Sequence, residues 1–224
     1  MAVLAAVVTV TVARATLAGN CRISADKRAR IRPRFFAIIA VMKTALVPLA
    51  DGFEETEAVA VIDVLRRGGV EVVTASLGMD RRAVSAHGIR METDAALSDV
   101  IDNAWDAIVL PGGGEGTANL LACEELAVRL RRQKFDDGGL LCAICAAPTV
   151  LAAADVLDDE DVTCYPTCAQ DMGRPVVDAP AIADGQIITG RGPGAAITFA
   201  LAVLANLVDE ETAHNVAAGM VTAL

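Results

Sequence analysis

Six cysteines, two histidines and a run of carboxylates are the side chains of this sequence suited to covalent chemistry. Cys145 holds the most informative position among them. It follows the apolar run Gly139–Ile144, which reads as a buried strand, and precedes Ala146–Ala154, which reads as a helix with Pro148 in its first turn. A thiol at such a junction faces unsatisfied N–H groups and the positive end of the helix dipole. Both favour the thiolate, so a thiol pKa well below the usual ~8.5 is expected. The arrangement resembles the nucleophile elbow of serine hydrolases, in which a tight turn presents the nucleophile above a sheet. On spacing alone, a buried structural cysteine is the competing reading.

Two further segments belong to the same region. Pro111-Gly112-Gly113-Gly114 ends the apolar strand Asp106–Leu110. It has neither the GxGxxG pattern nor the Lys-Ser/Thr of a phosphate-binding loop, which argues against a nucleotide site. Glycines at a strand end do let backbone N–H groups approach a reacting carbonyl, as an oxyanion hole requires; a plain tight turn is the alternative. Asp51-Gly52-Phe53-Glu54-Glu55-Thr56-Glu57 follows the first strand, Lys43–Leu49. Cys142-x-x-Cys145 has redox spacing, but Cys142 falls inside its strand, whereas redox pairs sit together at a helix start. No metal is expected: Cys164-x-x-x-Cys168 is not a second CxxC, and His87 and His214 lie far from it in sequence. No organic cofactor is implied either.

The elements that must position these residues alternate. After Lys43–Leu49, the segment Glu54–Arg67 reads as a helix with apolar positions at Val59, Val61, Ile62 and Leu65. Acids fill its first turn, Arg66-Arg67 its last, and Gly68-Gly69 stops it. Val70–Leu77 is the next strand, completing a β-α-β unit of the kind that builds parallel sheets. Further along come a small hairpin around Ala83–Met91, a helical region from Ala118 to Phe135, and strands near Val162–Cys164 and Gly185–Thr189. Helices over Gly194–Val208 and Glu210–Met220 complete the chain. The expected fold is α/β: a flavodoxin-like, doubly wound, mostly parallel sheet with helices on both faces. A composition 54% hydrophobic but only 3% aromatic suits such a core, which is packed by small and branched side chains. In an open parallel sheet, ligands bind at the carboxyl ends of the strands. The Asp51, Pro111 and Cys145 segments all begin there.

Charge divides the chain in two. Residues 1–41 carry seven Lys/Arg and one acid, a net +6, whereas residues 42–224 carry a net −16. The acidic body argues against a nucleic-acid partner, because phosphate contacts need a basic face. Neither apolar run of residues 1–41 reaches the ~18–20 residues that a membrane span needs. The segment reads as a mis-called start, a targeting peptide or a structured extension, with residues 42–224 as the domain. Reduced cysteines and a cytoplasmic location are expected for a chain of this type, or an organelle if residues 1–41 are a transit peptide.

Five ordered motifs now stand together: Asp51–Glu57, Val109-Leu110-Pro111-Gly112-Gly113, Ala143-Ile144-Cys145-Ala146-Ala147-Pro148, Val162-Thr163-Cys164-Tyr165-Pro166 and Gly190-Arg191-Gly192-Pro193-Gly194. Their order and spacing resemble the DJ-one/ThiJ/PfpI superfamily over residues 42–224, in particular the branch containing the parkinsonism-associated deglycase and bacterial ThiJ-like proteins. The resemblance implies a flavodoxin-like homodimer with Cys145 as the reactive cysteine and Glu57 as the acid against its sulfur. It implies backbone donors at Gly113 and Ala146, and Tyr165 and Arg191 as site-lining residues. The activity it implies is cofactor-independent glyoxalase or deglycase chemistry on methylglyoxal, glyoxal or their early adducts. The alternative it implies is a non-catalytic redox-sensing or chaperone-like stress protein using an oxidisable cysteine. One departure is visible: Tyr165 occupies the position at which many relatives carry a histidine. That argues against a Cys–His–acid triad and against peptidase activity.

Overall fold

A computed structural model describes residues 42–222. The readings of residues 1–41, Cys21 among them, lie outside the described residues. Among the described residues, nine strands and seven α-helices follow in this order: β1 (Thr44–Leu49), α1 (Glu55–Arg67), β2 (Glu71–Ser76), β3 (Arg82–Val84), β4 (Arg90–Glu92), β5 (Ala95–Ala96), α2 (Leu97–Val100), β6 (Ala107–Leu110), α3 (Gly114–Leu121), α4 (Glu124–Arg132), β7 (Leu140–Ile144), α5 (Pro148–Ala153), β8 (Ala181–Asp184), β9 (Ile187–Gly190), α6 (Ala196–Leu207) and α7 (Glu210–Gly219). Seven strands form one sheet in the order β5-β2-β1-β6-β7-β9-β8, parallel except for β8 against β9. β3 and β4 form a separate antiparallel hairpin. The α/β expectation therefore holds.

Both faces of the sheet are covered. On one, side chains of α1, α6 and α7, including Leu65, Phe199 and Leu204, pack on alternate residues of β1, β6 and β7. On the other, Leu120, Leu126, Leu130 and Leu151 from α3, α4 and α5 cover Leu46, Ile108 and Leu141. Strand order reverses at β1, which lies between β2 and β6, so the crevice between β1 and β6 is the natural site for chemistry. Pro48 helps to open it. Lys43 O and Leu49 O both accept from residues of the β2 segment, so odd-numbered residues of β1 bond to β2 and Pro48 faces β6. The β1–β6 register ends at Leu46↔Ile108, so the N–H that proline lacks falls where there is no ladder to complete.

Four local expectations are corrected. The helix expected over Ala118–Phe135 is two helices and a π-turn at Gln133–Asp137, because Cys123 is extended (φ −86°, ψ 95°) and the acids after it start a new first turn. Val162–Cys164 is not a strand; Thr163 N–H donates to Thr189 Oγ1 (2.9 Å), and the edge of β9 is taken by β8, which the sequence reading missed. The helix after Cys145 begins at Pro148, leaving Ala146 and Ala147 in a turn. Val59 is 53% exposed: the buried stripe of α1 runs Ala58, Val61, Ile62, Leu65, and Val59 stands one position off it. No helix among the described residues is long and apolar enough to cross a membrane.

Candidate active site

Cys145 leaves β7 with φ +65°, a left-handed conformation unusual for a residue with a side chain. Three hydrogen bonds hold it there. Cys145 N–H donates to Gly190 O (2.9 Å), Tyr165 N–H donates to Cys145 O (2.7 Å), and Ala147 N–H donates to Ile144 O (3.0 Å), closing the turn. Strain of this kind costs on the order of 1 kcal/mol and persists because both backbone groups of the residue are tied to neighbouring segments. The turn directs the thiol toward the backbone N–H groups of Gly113 and Ala146, whose nearness favours its thiolate.

Glu57 approaches from the first turns of α1 and is 0% exposed. Gly112 N–H donates to its Oε2 (2.8 Å). Its Oε1 is buried and has no partner at hydrogen-bond distance, which leaves that oxygen for the Cys145 sulfur beside it. Burial raises the Glu57 carboxyl to about 7, aided by the charge of Glu54 and opposed by the Gly112 N–H and by Cys145. Burial likewise pushes the Cys145 thiol up to about 12, and the neighbouring Glu57 carboxylate adds to the rise, against the pull of Gly113 and Ala146. The pull toward the thiolate that the two N–H groups exert is thus opposed by burial and by the neighbouring carboxylate. Between those values the pair holds one proton. On sulfur, that proton leaves a Glu57 carboxylate; on Glu57, it leaves a thiolate facing two N–H groups.

Gly112 is the site residue whose individual role sequence reasoning missed, having treated the glycines as one loop. A Cβ at Gly112 would lie 2.6 Å from Cys145 Cβ, 2.8 Å from Glu57 Oε2 and 2.9 Å from Ile144 O. Gly112→Ala is therefore expected to force the acid and the thiol apart. It should abolish turnover and lower the melting temperature by several degrees, as overpacking costs ~1–3 kcal/mol; a thermal melt beside a rate measurement checks it. Gly113 has φ +96°, and a side chain there would run into the Gly52 carbonyl. The signal available in the sequence was the glycine immediately after a buried strand.

The remaining candidates fall into four places. Tyr165 (42% exposed) and Arg191 flank the elbow; Arg191 pairs with Asp178 at the surface. His87, its side chain 71% exposed at the β3–β4 turn, sets Nδ1 2.7 Å from Glu55 Oε1, and His214 sets Nδ1 2.8 Å from Glu210 O on α7. Neither histidine takes part in the Cys145–Glu57 pair. Glu54, Glu55 and His87 bring their ligand atoms within 4.8 Å of one another and are the described residues grouped closely enough to hold a metal ion. Cys142 is fully buried in β7 as a free thiol, pushed up by desolvation, so the CxxC spacing is a packing feature.

The DJ-1/PfpI family model matches residues 43–206. The chain belongs to the DJ-1/PfpI family. Protein DJ-1 homolog B of Arabidopsis thaliana is 37% identical over 199 residues, which is 86% of this chain and 45% of that protein. The glutathione-independent glyoxalase DJR-1.2 of Caenorhabditis elegans is 37% identical over 182 residues, 79% of this chain and 95% of that one. The crystal structure of Drosophila melanogaster DJ-1beta superposes with a TM-score of 0.79 at 37% identity, covering 82% of this chain and 100% of the other. The chain spans 45% of the length of the Arabidopsis relatives it matches. Within this DJ-1/PfpI chain, the side chain beside the Cys145 thiol is the buried carboxyl of Glu57 on α1, with no imidazole beside it among the described residues.

Proposed function

We propose that this chain is a cysteine-dependent, glutathione-independent enzyme acting on 2-oxoaldehydes such as methylglyoxal and glyoxal, and on their early adducts on proteins and nucleotides. The observation that carries the reading is the buried pair: a carboxyl with one free oxygen, sharing a proton with a thiol held on an elbow beneath two N–H groups. The name of the Caenorhabditis elegans relative supports it. A homodimer and a cytoplasmic location are carried into the proposal by the family resemblance alone.

As sulfur bonds to the aldehyde carbon, the thiol proton passes to Glu57, and the new alkoxide is stabilised by the backbone N–H groups. Glu57 returns its proton to that oxygen, giving a hemithioacetal and a Glu57 carboxylate. The carboxylate then removes the proton from the former aldehyde carbon, leaving an enediolate, and delivers it to the adjacent carbon, while the hemithioacetal hydroxyl proton passes to the neighbouring oxygen, so that a 2-hydroxy thioester forms. Water breaks the carbon–sulfur bond and restores the thiol. One carbon is oxidised by two electrons and its neighbour reduced by two, so dicarbonyl plus water becomes 2-hydroxy acid with no outside electron carrier. Lactate formation from methylglyoxal without glutathione is the test. A chain that forms no lactate yet oxidises readily at Cys145 would overturn the enzyme reading in favour of the redox-sensing one.

A further inference from the structure

The elbow that carries Cys145 is short of helical backbone bonds, and one side chain supplies a replacement. In a regular helix each N–H reaches the carbonyl four residues before it. Pro148, the first residue of α5, has no N–H to give. Thr149 N–H departs from the pattern as well. Cys145 O, four residues before it, accepts from Tyr165 N–H (2.7 Å), and Thr149 N–H turns instead to Ala146 O (3.1 Å). The Ala146 carbonyl then accepts a second and shorter bond, from the Thr149 hydroxyl (2.7 Å). Thr149 is buried, so little water competes for that bond.

Ala146 is the residue that this second bond steadies. It lies after the end of β7 and before the start of α5, outside the regular ladder of either. Its N–H serves the Cys145 sulfur and its carbonyl serves Thr149, on the two sides of one Cα. Cys145 itself stands at φ +65°, a conformation that a side chain disfavours and that persists only where the surrounding segments hold it. Ala147 N–H, bonded to Ile144 O, ties the turn back to the strand, and Thr149 ties it forward to the helix. A threonine hydroxyl that bonds back to a carbonyl of the preceding turn is a familiar local alternative to the helix ladder. At this place the carbonyl belongs to the residue whose N–H faces the nucleophile. We propose that Thr149 is a positioning residue of the elbow: by holding the Ala146 carbonyl, its hydroxyl keeps the Ala146 N–H turned toward the sulfur. Its effect on the rate rests on the glyoxalase reading above, whereas its effect on the thiol does not.

Thr149→Val and Thr149→Ser in the full chain test the assignment. Valine keeps the branched shape and loses the donor; serine keeps the donor. Two readouts are compared with a thermal melt: kcat and KM for lactate formation from methylglyoxal, and iodoacetamide labelling of Cys145 at pH 8, read on its own peptide by mass spectrometry. Thr149→Val is expected to lower kcat about tenfold or more while KM stays within about twofold, because a donor beside the reacting atoms is displaced. Labelling should slow about three- to tenfold, as the thiolate loses part of its support. Thr149→Ser should remain within about twofold of the wild type in both readouts. Thr149→Ala, which removes the hydroxyl and adds no new group, carries the same expectation if the valine variant does not fold. A variant without the hydroxyl that melts lower, yet labels and turns over as the wild type does, makes the bond a matter of stability alone and overturns the proposal. So does a serine variant as slow as the valine one. A wild-type chain that forms no lactate overturns the glyoxalase reading, and the labelling of Cys145 then decides the role of Thr149 by itself.

Discussion

Cys145→Ala is expected to lower methylglyoxal turnover roughly a thousandfold or more, because the bond that forms first is the one to its sulfur. The fold should survive. Alanine inherits the same left-handed φ, so the strain at the elbow is unchanged, and Cys145 N–H and O keep their bonds to Gly190 and Tyr165. The loss is the sulfur as a partner for the Gly113 and Ala146 N–H groups, at about 1–2 kcal/mol. Cys145→Ser restores an acceptor there but should be almost as inactive, since the hydroxyl holds its proton far more tightly than a thiol. Cys142→Ala is the control: its sulfur is buried within the sheet, in register with Val109 and Ile188, so the change should cost stability and leave turnover nearly intact. Lactate formation and a thermal melt on all three variants decide the matter. A Cys145→Ala chain that kept a tenth of the wild-type rate would refute the nucleophile.

How far the sequence reveals this site depends on whether a signal is local. The strand before Cys145 and the proline after it are neighbours in the chain, so the elbow could be read from a dozen residues. The β-α-β opening, with its glycine stop, is local too. What the sequence hides is set by distance. That Gly112 N–H donates to Glu57 Oε2 joins residues 55 positions apart and depends on β1 and β6 being neighbours. The groups that oppose the thiol's ionisation are hidden for the same reason. A helix N-terminus is visible in sequence, whereas burial and the charge of a carboxyl arriving from α1, which act against it, are not. Strand β8 escaped notice because its Ala-Ile-Ala-Asp run is short and half-exposed, as an edge strand permits. Val162–Cys164 looked more like a strand than it did, yet the place beside β9 that it would have taken is held by β8.

Glu57→Gln should make the protein more stable and nearly inactive, and that combination is the sharper test of the pair. The carboxyl has a folded-state value of about 7 against an ordinary 4.5. The folded chain therefore binds this proton more tightly than the unfolded chain does. Stability falls as pH rises from about 4.5 through 7, and above 7 the whole cost is present, on the order of 1–3 kcal/mol. Glutamine never ionises, its carbonyl still accepts from Gly112 N–H, and its amide can donate to the sulfur. At pH 8 the variant should melt several degrees above the wild type, with the difference vanishing below about pH 4.5. Turnover should drop by ~10²–10⁴, the usual worth of a general acid–base group, while iodoacetamide still labels Cys145. An acid that merely complemented the dipole of α1 would behave in the opposite way, since its replacement would lose ~0.3–1 kcal/mol and spare the rate. Glu54 and Glu55 supply that comparison within the same turn. The first caps the helix at Thr56 N–H and the second lies against His87, so Glu54→Gln and Glu55→Gln should lower the pH 8 melting temperature slightly and leave most turnover. If Glu57→Gln joined them, melting lower and turning over freely, the shared proton would not be the chemistry of this site.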